Sequence, residues 1–232
     1  MEDAAALARR GAPHGTVVLA DHQTAGRGRR GRAWHAAPGQ SLLLSLVWRE
    51  GPAETWPRAL LGLALATAEA LDTLDLAPTL KWPNDVRLSG RKVAGMIAQT
   101  AGDALVLGVG VNVAQTSFPD DLAAPATSVS LEAGRPIPRG AVLAALLDAA
   151  DVRLAEAVAP DPAPLLAAYR ARLDGLGQPV RLGAGDTVHA GTFADVANDG
   201  ALVLLHADGT RTHHHAGDVT LRPFPLTPHP EA

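Results

Sequence analysis

Between Gly26 and Arg32 the chain reads Gly-Arg-Gly-Arg-Arg-Gly-Arg, so four of its 20 lysines and arginines fall on one short stretch. Alternating glycines let a backbone approach a ligand closely and turn where a side chain could not. The arginines between them offer planar, permanently charged forks for carboxylate and phosphate. The combination reads as a flexible clamp on an anion. The segment also matches G-x-G-x-x-G literally, with Glu50 about 20 residues further on, as in a dinucleotide fingerprint. That fingerprint needs a helix opening at the glycines, and Trp34-His35-Ala36-Ala37-Pro38-Gly39 cannot supply one. The Walker pattern G-x-x-x-x-G-K-[ST] is absent.

Three further pieces carry chemistry. In Lys81-Trp82-Pro83-Asn84-Asp85, Pro83 ends a strand and biases Trp82 to extended backbone, so Lys81 can project from the strand end. Gly90-Arg91-Lys92-Val93-Ala94-Gly95-Met96 opens a strand on two basic residues and places Gly95 inside it, where a glycine often marks a close ligand or backbone. In Leu107-Gly108-Val109-Gly110-Val111-Asn112-Val113, two glycines and an asparagine alternate with apolar residues. One face of that strand is nearly bare, which suits a pocket floor, and Asn112 offers a carboxamide at its end. A packed core strand would show the same pattern.

These pieces need a scaffold. Glu2 to Arg10 reads as a short helix stopped by Gly11, and Thr16 to Ala20 as a buried strand. Asp21 to Gln40 is a long Gly-rich loop, and such loops are usually functional. Strands follow at Ser41–Trp48, Thr79–Trp82, Val93–Gln99 and Ala104–Val113, with turns at Gly90 and Gly102-Asp103. Helices are expected at Trp56–Asp75, Arg139–Val158 and Ala163–Leu173, and loop with a short helical piece at Ala114–Pro138. From Gln178 onward short β-segments with turns at Asn198-Asp199-Gly200 and Ala207-Asp208-Gly209 suggest a small antiparallel barrel. The expected division is a core over 1–175, a barrel over 178–222 and a disordered Pro-rich tail over 223–232. The order of elements argues α+β.

Composition narrows the function. Hydrophobic residues are 47% of the chain, enough for a packed core. With no cysteine there are no disulfides, thiolate zinc sites or cysteine nucleophiles. A net charge of −4 speaks against a general nucleic-acid binder, which makes the basic loop a local exception. No apolar stretch approaches a membrane span, and the acidic Met1-Glu2-Asp3 start is unlike a secretory signal. A cytoplasmic protein is expected. His213-His214-His215 reads as hairpin surface, since only alternate strand residues could share an ion.

Taken in order, Gln23-Thr24-Ala25-Gly26-Arg27-Gly28-Arg29-Arg30-Gly31-Arg32-Ala33-Trp34, Lys81-Trp82-Pro83-Asn84-Asp85, Arg91-Lys92-Val93-Ala94-Gly95 and Gly108-Val109-Gly110-Val111-Asn112 closely resemble the biotin–protein ligases (biotin–[acetyl-CoA-carboxylase] ligases), in the short form without a DNA-binding domain. The resemblance runs from about residue 10 to Arg222. It implies a seven-stranded mixed β-sheet flanked by helices, akin to class II aminoacyl-tRNA synthetase cores, with a small C-terminal SH3-like β-barrel. It implies a two-step reaction: biotin and ATP, with Mg²⁺, give biotinyl-5′-AMP and pyrophosphate, then biotin passes to a lysine of a biotin carboxyl carrier protein domain. It implies no DNA or membrane partner, and it is compatible with a homodimer.

By the same resemblance Gln23 lies against the ureido ring, and Gly26, Arg27, Arg29, Lys81 and Gly95 belong to the biotin side. Arg27, Arg29, Arg32, Trp34, Lys81, Asn112 and Arg222 belong to the ATP side, Asn112 as the residue that meets Mg²⁺. Lys81 and Arg27 carry the catalysis. The family's Ser-Thr-Asn turn should precede the first helix, but Met1-Glu2-Asp3-Ala4 stands about where that turn ends. A start assigned too late is the expected reason, and a missing pocket wall the alternative. Lipoate–protein ligases share the core but differ in their lysine and glycine motifs. A non-catalytic biotin- or nucleotide-binding module would not need Lys81, Arg27 and Asn112 together.

Overall fold

The structure, a computed structural model, describes residues 1–31, 33–184 and 187–220. The elements of the first half are α1 (Glu2–Arg9), β1 (Val17–Ala20), β2 (Ser41–Trp48), α2 (Trp56–Asp72), β3 (Thr79–Lys81), β4 (Asp85–Leu88), β5 (Arg91–Ala101) and β6 (Ala104–Asn112). There follow α3 (Asp120–Ala123), α4 (Val129–Ala133), α5 (Arg139–Val158), α6 (Ala163–Ala171), β7 (Pro179–Ala184), β8 (Thr187–Val196), β9 (Leu202–Leu205), β10 (Arg211–His214) and β11 (Asp218–Thr220). Among the described residues no helix is long and apolar enough to cross a membrane. The expected tail over 223–232 lies outside the described residues.

The first six strands form one sheet in the order β1-β2-β6-β5-β4-β3. Seven strands of mixed direction were implied, but all five ladders here are antiparallel. The reason is local. β3 to β6 follow one another through the short turns 82–84, 89–90 and 102–103, which can only return a strand antiparallel. Among the described residues, parallel pairing is confined to isolated bridges, Leu80 with Leu173 and Lys92 with Ala126.

Every residue of β2 is buried because both sheet faces are covered. Leu42, Leu44, Leu46 and Trp48 join the large core under α2 and α5, whereas Val47 packs with Ala4, Ala5 and Ala8 of α1. The helices α2 and α5 meet closely: a side chain at Gly62 would sit 2.7 Å from the Arg153 carbonyl. Arg153 in turn grips Glu69 through its Nε and Nη2 atoms.

Two expectations differ from the structure. β1 was read as buried, yet Leu19 is 52% exposed, because β1 is the outer strand and pairs only with β2. No strand is expected at Asp85–Leu88, yet the segment is one, and its Val86 and Leu88 reach the core. Four residues are too few for their alternation to stand out.

The C-terminal sheet has five antiparallel strands in the order β10-β9-β8-β7-β11. Its turns fall where the sequence placed them, with Gly200 and Gly209 at φ +87° and +83°. The β8–β9 turn wedges into the core. Trp82 is buried and donates through Nε1 to the Gly200 carbonyl at 3.0 Å, and a side chain at Gly200 would press on Leu61 at 3.2 Å. Arg170 adds contacts to Asp195 and to the Val196 carbonyl, both at 2.6 Å. This docking sets β11 against the edge of the core sheet, where its first residue becomes part of the site.

Candidate functional site: a cation-lined cavity over a glycine floor

Strand alternation decides which side chains reach the second face of the sheet. On β6, Leu105, Leu107, Val109 and Val111 pack toward α2 and α5. Gly108, Gly110 and Asn112 therefore face the other way, onto a cavity of about 360 Å³. Across the ladders the same face receives Leu43 and Ser45 from β2, Gly95 and Ile97 from β5, Asp85 and Arg87 from β4, and Lys81 from β3. The bare strand face expected from Gly108-Val109-Gly110 is thus the floor of a pocket. α1 covers the rest of this face, and the Met1 sulfur approaches to 2.6 Å from where a side chain at Gly108 would begin.

The arginine loop forms the roof. It is pinned by a bridge between Arg27 and Ala33, a short 3₁₀ turn at Arg29–Gly31, and a hydrogen bond from the Trp34 amide to the Gly26 carbonyl at 3.0 Å. A side chain at Gly26 would sit 2.3 Å from the Trp34 carbonyl oxygen, so only glycine allows this crossing. Gly26 itself does not line the cavity. It brings Trp34 into it, and the indole lies flat on the floor, with Cε2 only 2.7 Å from where a Gly110 side chain would start. The indole Nε1 is buried and makes no hydrogen bond among the described residues. Lys92 holds its ammonium 5.7 Å from the ring centroid, a cation–π contact.

Among the described residues, five cationic side chains line the cavity (Arg27, Arg29, Lys81, Arg87 and Lys92) against two carboxylates, Asp85 and Asp218. Arg29 donates to Asn84 Oδ1 at 2.8 Å and reaches the Gly217 carbonyl at 3.4 Å. Asn84 is itself fixed by donating to the Met96 carbonyl at 2.7 Å. Lys81 pairs with Asp218 at 2.8 Å, and Lys92 with Asp85 at 2.6 Å. Among the described residues the Arg27 side chain pairs with Glu2, at 2.9 Å on the open surface, a pair that water screens and a ligand easily replaces. Arg27 and Arg29 also border a second cavity of about 400 Å³ between Pro57, Leu60, Trp82 and Gly200. A site with this charge excess attracts an anion of several charges.

Asn112 is buried beside the floor, and both ends of its amide are engaged. Nδ2 donates to the Thr127 carbonyl at 3.1 Å, and Oδ1 accepts from Gln115 Nε2 at 3.2 Å. These bonds hold the segment after β6 beside the cavity, where Phe118, Leu122, Pro125 and Ala126 form an apolar wall. Glu132 anchors that wall by accepting from Thr127 at 2.5 Å, from Ser89 at 2.8 Å and from Arg91 at 2.5 Å. Burial pushes its carboxyl up, but the hydroxyl bonds from Thr127 and Ser89 and the Arg91 charge outweigh burial and hold it below the ordinary value. Beneath the 82–84 turn, burial first and the Asp85 charge second push the Tyr169 phenol well up, so it stays neutral.

The structure therefore gathers Gln23, Arg27, Arg29, Trp34, Lys81, Gly95 and Asn112 around one cavity. Arg32 and Arg222 lie outside the described residues. Sequence reading missed Lys92, Asp85 and Asp218 as site residues. Lys92 stands three positions before Gly95, which strict alternation puts on the opposite face. A bulge intervenes: the ladder pairs Val86 with Ala94 but Arg87 with Lys92, so Val93 is an extra residue. Bulges re-aim side chains. This one turns Lys92 into the cavity. His35 lines the cavity, whereas His214 and His215 are engaged elsewhere: the His214 ring lies tilted 4.6 Å from that of His189, and His215 lies 3.7 Å from Asp199.

Residues 6–114 match the biotin/lipoate A/B protein ligase family, and residues 175–222 match the biotin protein ligase C-terminal domain. The biotin–[acetyl-CoA-carboxylase] ligase of Mycobacterium tuberculosis is 37% identical over 215 residues, which is 88% of this chain and 78% of that protein. The bifunctional ligase/repressor BirA of Escherichia coli is 33% identical over 218 residues, 90% of this chain and 67% of its own length. Among solved structures, the biotin protein ligase of Aquifex aeolicus in complex with biotin and ATP aligns at TM-score 0.79 and 28% identity, covering 90% of each chain. In its motifs, its fold and the geometry of its cavity, the chain belongs to the biotin protein ligases of the biotin/lipoate A/B protein ligase family.

Proposed function

We propose that this protein is an ATP-dependent biotin–[acetyl-CoA-carboxylase] ligase. The observation that carries this is the convergence of five cations and a glycine floor on one cavity closed by Trp34. In the first step a biotin carboxylate oxygen attacks the α-phosphorus of ATP. The bond to the β-phosphate breaks, and pyrophosphate leaves with the electron pair. Two anions must be brought together, and the negative charge of the transition state stabilised.

Gln23 and the floor at Gly95 take the biotin rings, with Gly26 shaping the roof. Arg27 and Arg29 close over the carboxylate and phosphates from above. Lys81 and Lys92 meet them from the sheet, exchanging Asp218 and Asp85 for ligand oxygens. Trp34 and the Phe118–Ala126 wall enclose the adenine. Arg32 and Arg222 add charge on the ATP side. Mg²⁺, when bound, would supply charge neutralisation of the triphosphate. Asn112 Oδ1 keeps a lone pair beyond its bond from Gln115 and is the residue that would touch the ion. In the second step a carrier-domain lysine attacks the acyl carbon and AMP leaves. A core over 1–175 and a C-terminal unit over 178–222 share this work in the cytoplasm.

The test is transfer of labelled biotin to a carrier domain. Removing a preorganised donor that faces developing charge typically costs about 10²–10³ in kcat. Lys81→Ala, Lys92→Ala and Arg27→Ala should show such losses, most at the lysine that contacts the reacting oxygens. Absence of transfer by the unaltered protein, or equal use of lipoate, overturns the proposal.

A further inference from the structure

One cation of the cavity belongs to none of the motifs that carry the resemblance. Arg87 stands on β4 two residues after Asp85, so both side chains leave the same face of the sheet and line the cavity. Across its ladders it faces Thr79 on β3 and Lys92 on β5. Lys81, Arg87 and Lys92 therefore stand on three neighbouring strands, next to Arg29 in the roof.

Each of the three has a carboxylate, but the pairs are unequal. Lys92 holds Asp85 at 2.6 Å and Lys81 holds Asp218 at 2.8 Å, whereas Arg87 comes only to 3.6 Å from Asp174. The same Asp174 oxygen already accepts from the Thr79 hydroxyl at 3.0 Å. Arg87 Nε is buried and makes no hydrogen bond among the described residues. A buried donor without an acceptor is costly, and such a group calls for an explanation. Here the explanation is adjacent. Arg87 borders the same cavity as Arg29, Lys81 and Lys92, and a guanidinium suits two phosphate oxygens at once.

We propose that Arg87 is a further phosphate-binding residue, which takes the β- and γ-phosphates of the nucleoside triphosphate and holds the pyrophosphate that leaves. The proposal rests on the adenylation reading above. It assigns the polyphosphate to the β3–β4 end of the cavity, opposite the Phe118 wall, so the α-phosphorus lies between the two, near Lys81 and Lys92.

The experiment is biotin-dependent exchange of labelled pyrophosphate into ATP, together with direct calorimetric titration of inorganic pyrophosphate, on the full chain. Loss of one bidentate charged contact should weaken ATP and pyrophosphate about tenfold in Arg87→Ala while the biotin KM stays within about twofold. Arg87→Lys, which keeps charge but not the fork, should recover about a third of that loss. Asp174→Asn removes the competing carboxylate and should tighten pyrophosphate, the opposite direction. A purely structural Arg87 would raise the biotin KM in parallel, or leave pyrophosphate affinity unchanged in Arg87→Ala, and either result overturns the proposal. Should Arg87→Ala not fold, the opposed shifts of Arg87→Lys and Asp174→Asn decide, and shifts of the same sign overturn it. Failure of the unaltered protein to exchange would instead count against the adenylation reading, leaving the pyrophosphate titration to judge Arg87 alone.

Discussion

Substituting Gly110 by alanine tests the floor directly. The new methyl would start 2.7 Å from Trp34 Cε2, 2.8 Å from Cζ2 and 3.1 Å from Nε1, where ordinary contact begins at 3.4 Å. The indole is rigid and is pinned through its backbone at Gly26, so it must lift by several tenths of an ångström or leave the floor. Overpacking of this kind costs about 1–3 kcal/mol. If Trp34 closes the adenine end, that cost appears in nucleotide binding as a rise of roughly 5- to 100-fold in KM for ATP, at 1.4 kcal/mol per decade. The assay is a double-mutant cycle with Trp34→Ala, read by ATP KM and by urea unfolding. Removing the indole removes the clash, so Gly110→Ala in the Trp34→Ala background should cost almost nothing further. Additive penalties, within about 0.5 kcal/mol, would refute the account, since residues that do not touch behave additively.

Three more outcomes follow from named groups. Because Glu132 is held below its ordinary value of 4.5, the unfolded chain binds more protons than the folded one as pH falls past that value. Its stabilisation is complete above the unfolded value and is lost as pH falls through the folded one. The Tm gap between the unaltered protein and Glu132→Gln should thus close on acidification from pH 7, and a constant gap would contradict it. Gly140, near the start of α5, has nothing within 4 Å of a would-be methyl and no positive φ, so Gly140→Ala should stabilise by up to about 0.5–1 kcal/mol in denaturant with unchanged kinetics. A lowered midpoint would sink that reasoning. Arg27 and Arg29 line the cavity, so biotin plus ATP should cover both and protect them from trypsin. Unchanged cleavage would count against ligand-driven closure.

How much of the site could be read in advance depended on whether each feature obeys a local period. Gly108, Gly110 and Asn112 lie in register on one strand, so simple alternation already marked a bare face. The loop announced itself by composition, and α5 by its span. Asp218 and the Gly217 carbonyl gave no such sign. They reach Lys81 and Arg29 only because the β8–β9 turn docks on Trp82 and Leu61, a contact between segments more than a hundred residues apart. The case of Lys92 is more instructive. A period of two sends it to the core side with Ala94, where a lone ammonium would pay a heavy desolvation cost. The chain avoids that by burying Val93 and Ala94 in succession and resuming alternation afterwards. Two consecutive apolar residues, with a basic residue on one side and a glycine on the other, were therefore the available cue. In a strand with one face in a core and one in a polar cavity, a charge and a cavity-facing glycine an odd number of positions apart imply an extra residue between them. That rule follows from the pleat and the cost of burying charge, and it would have placed Lys92 beside Gly95 before any coordinates were known.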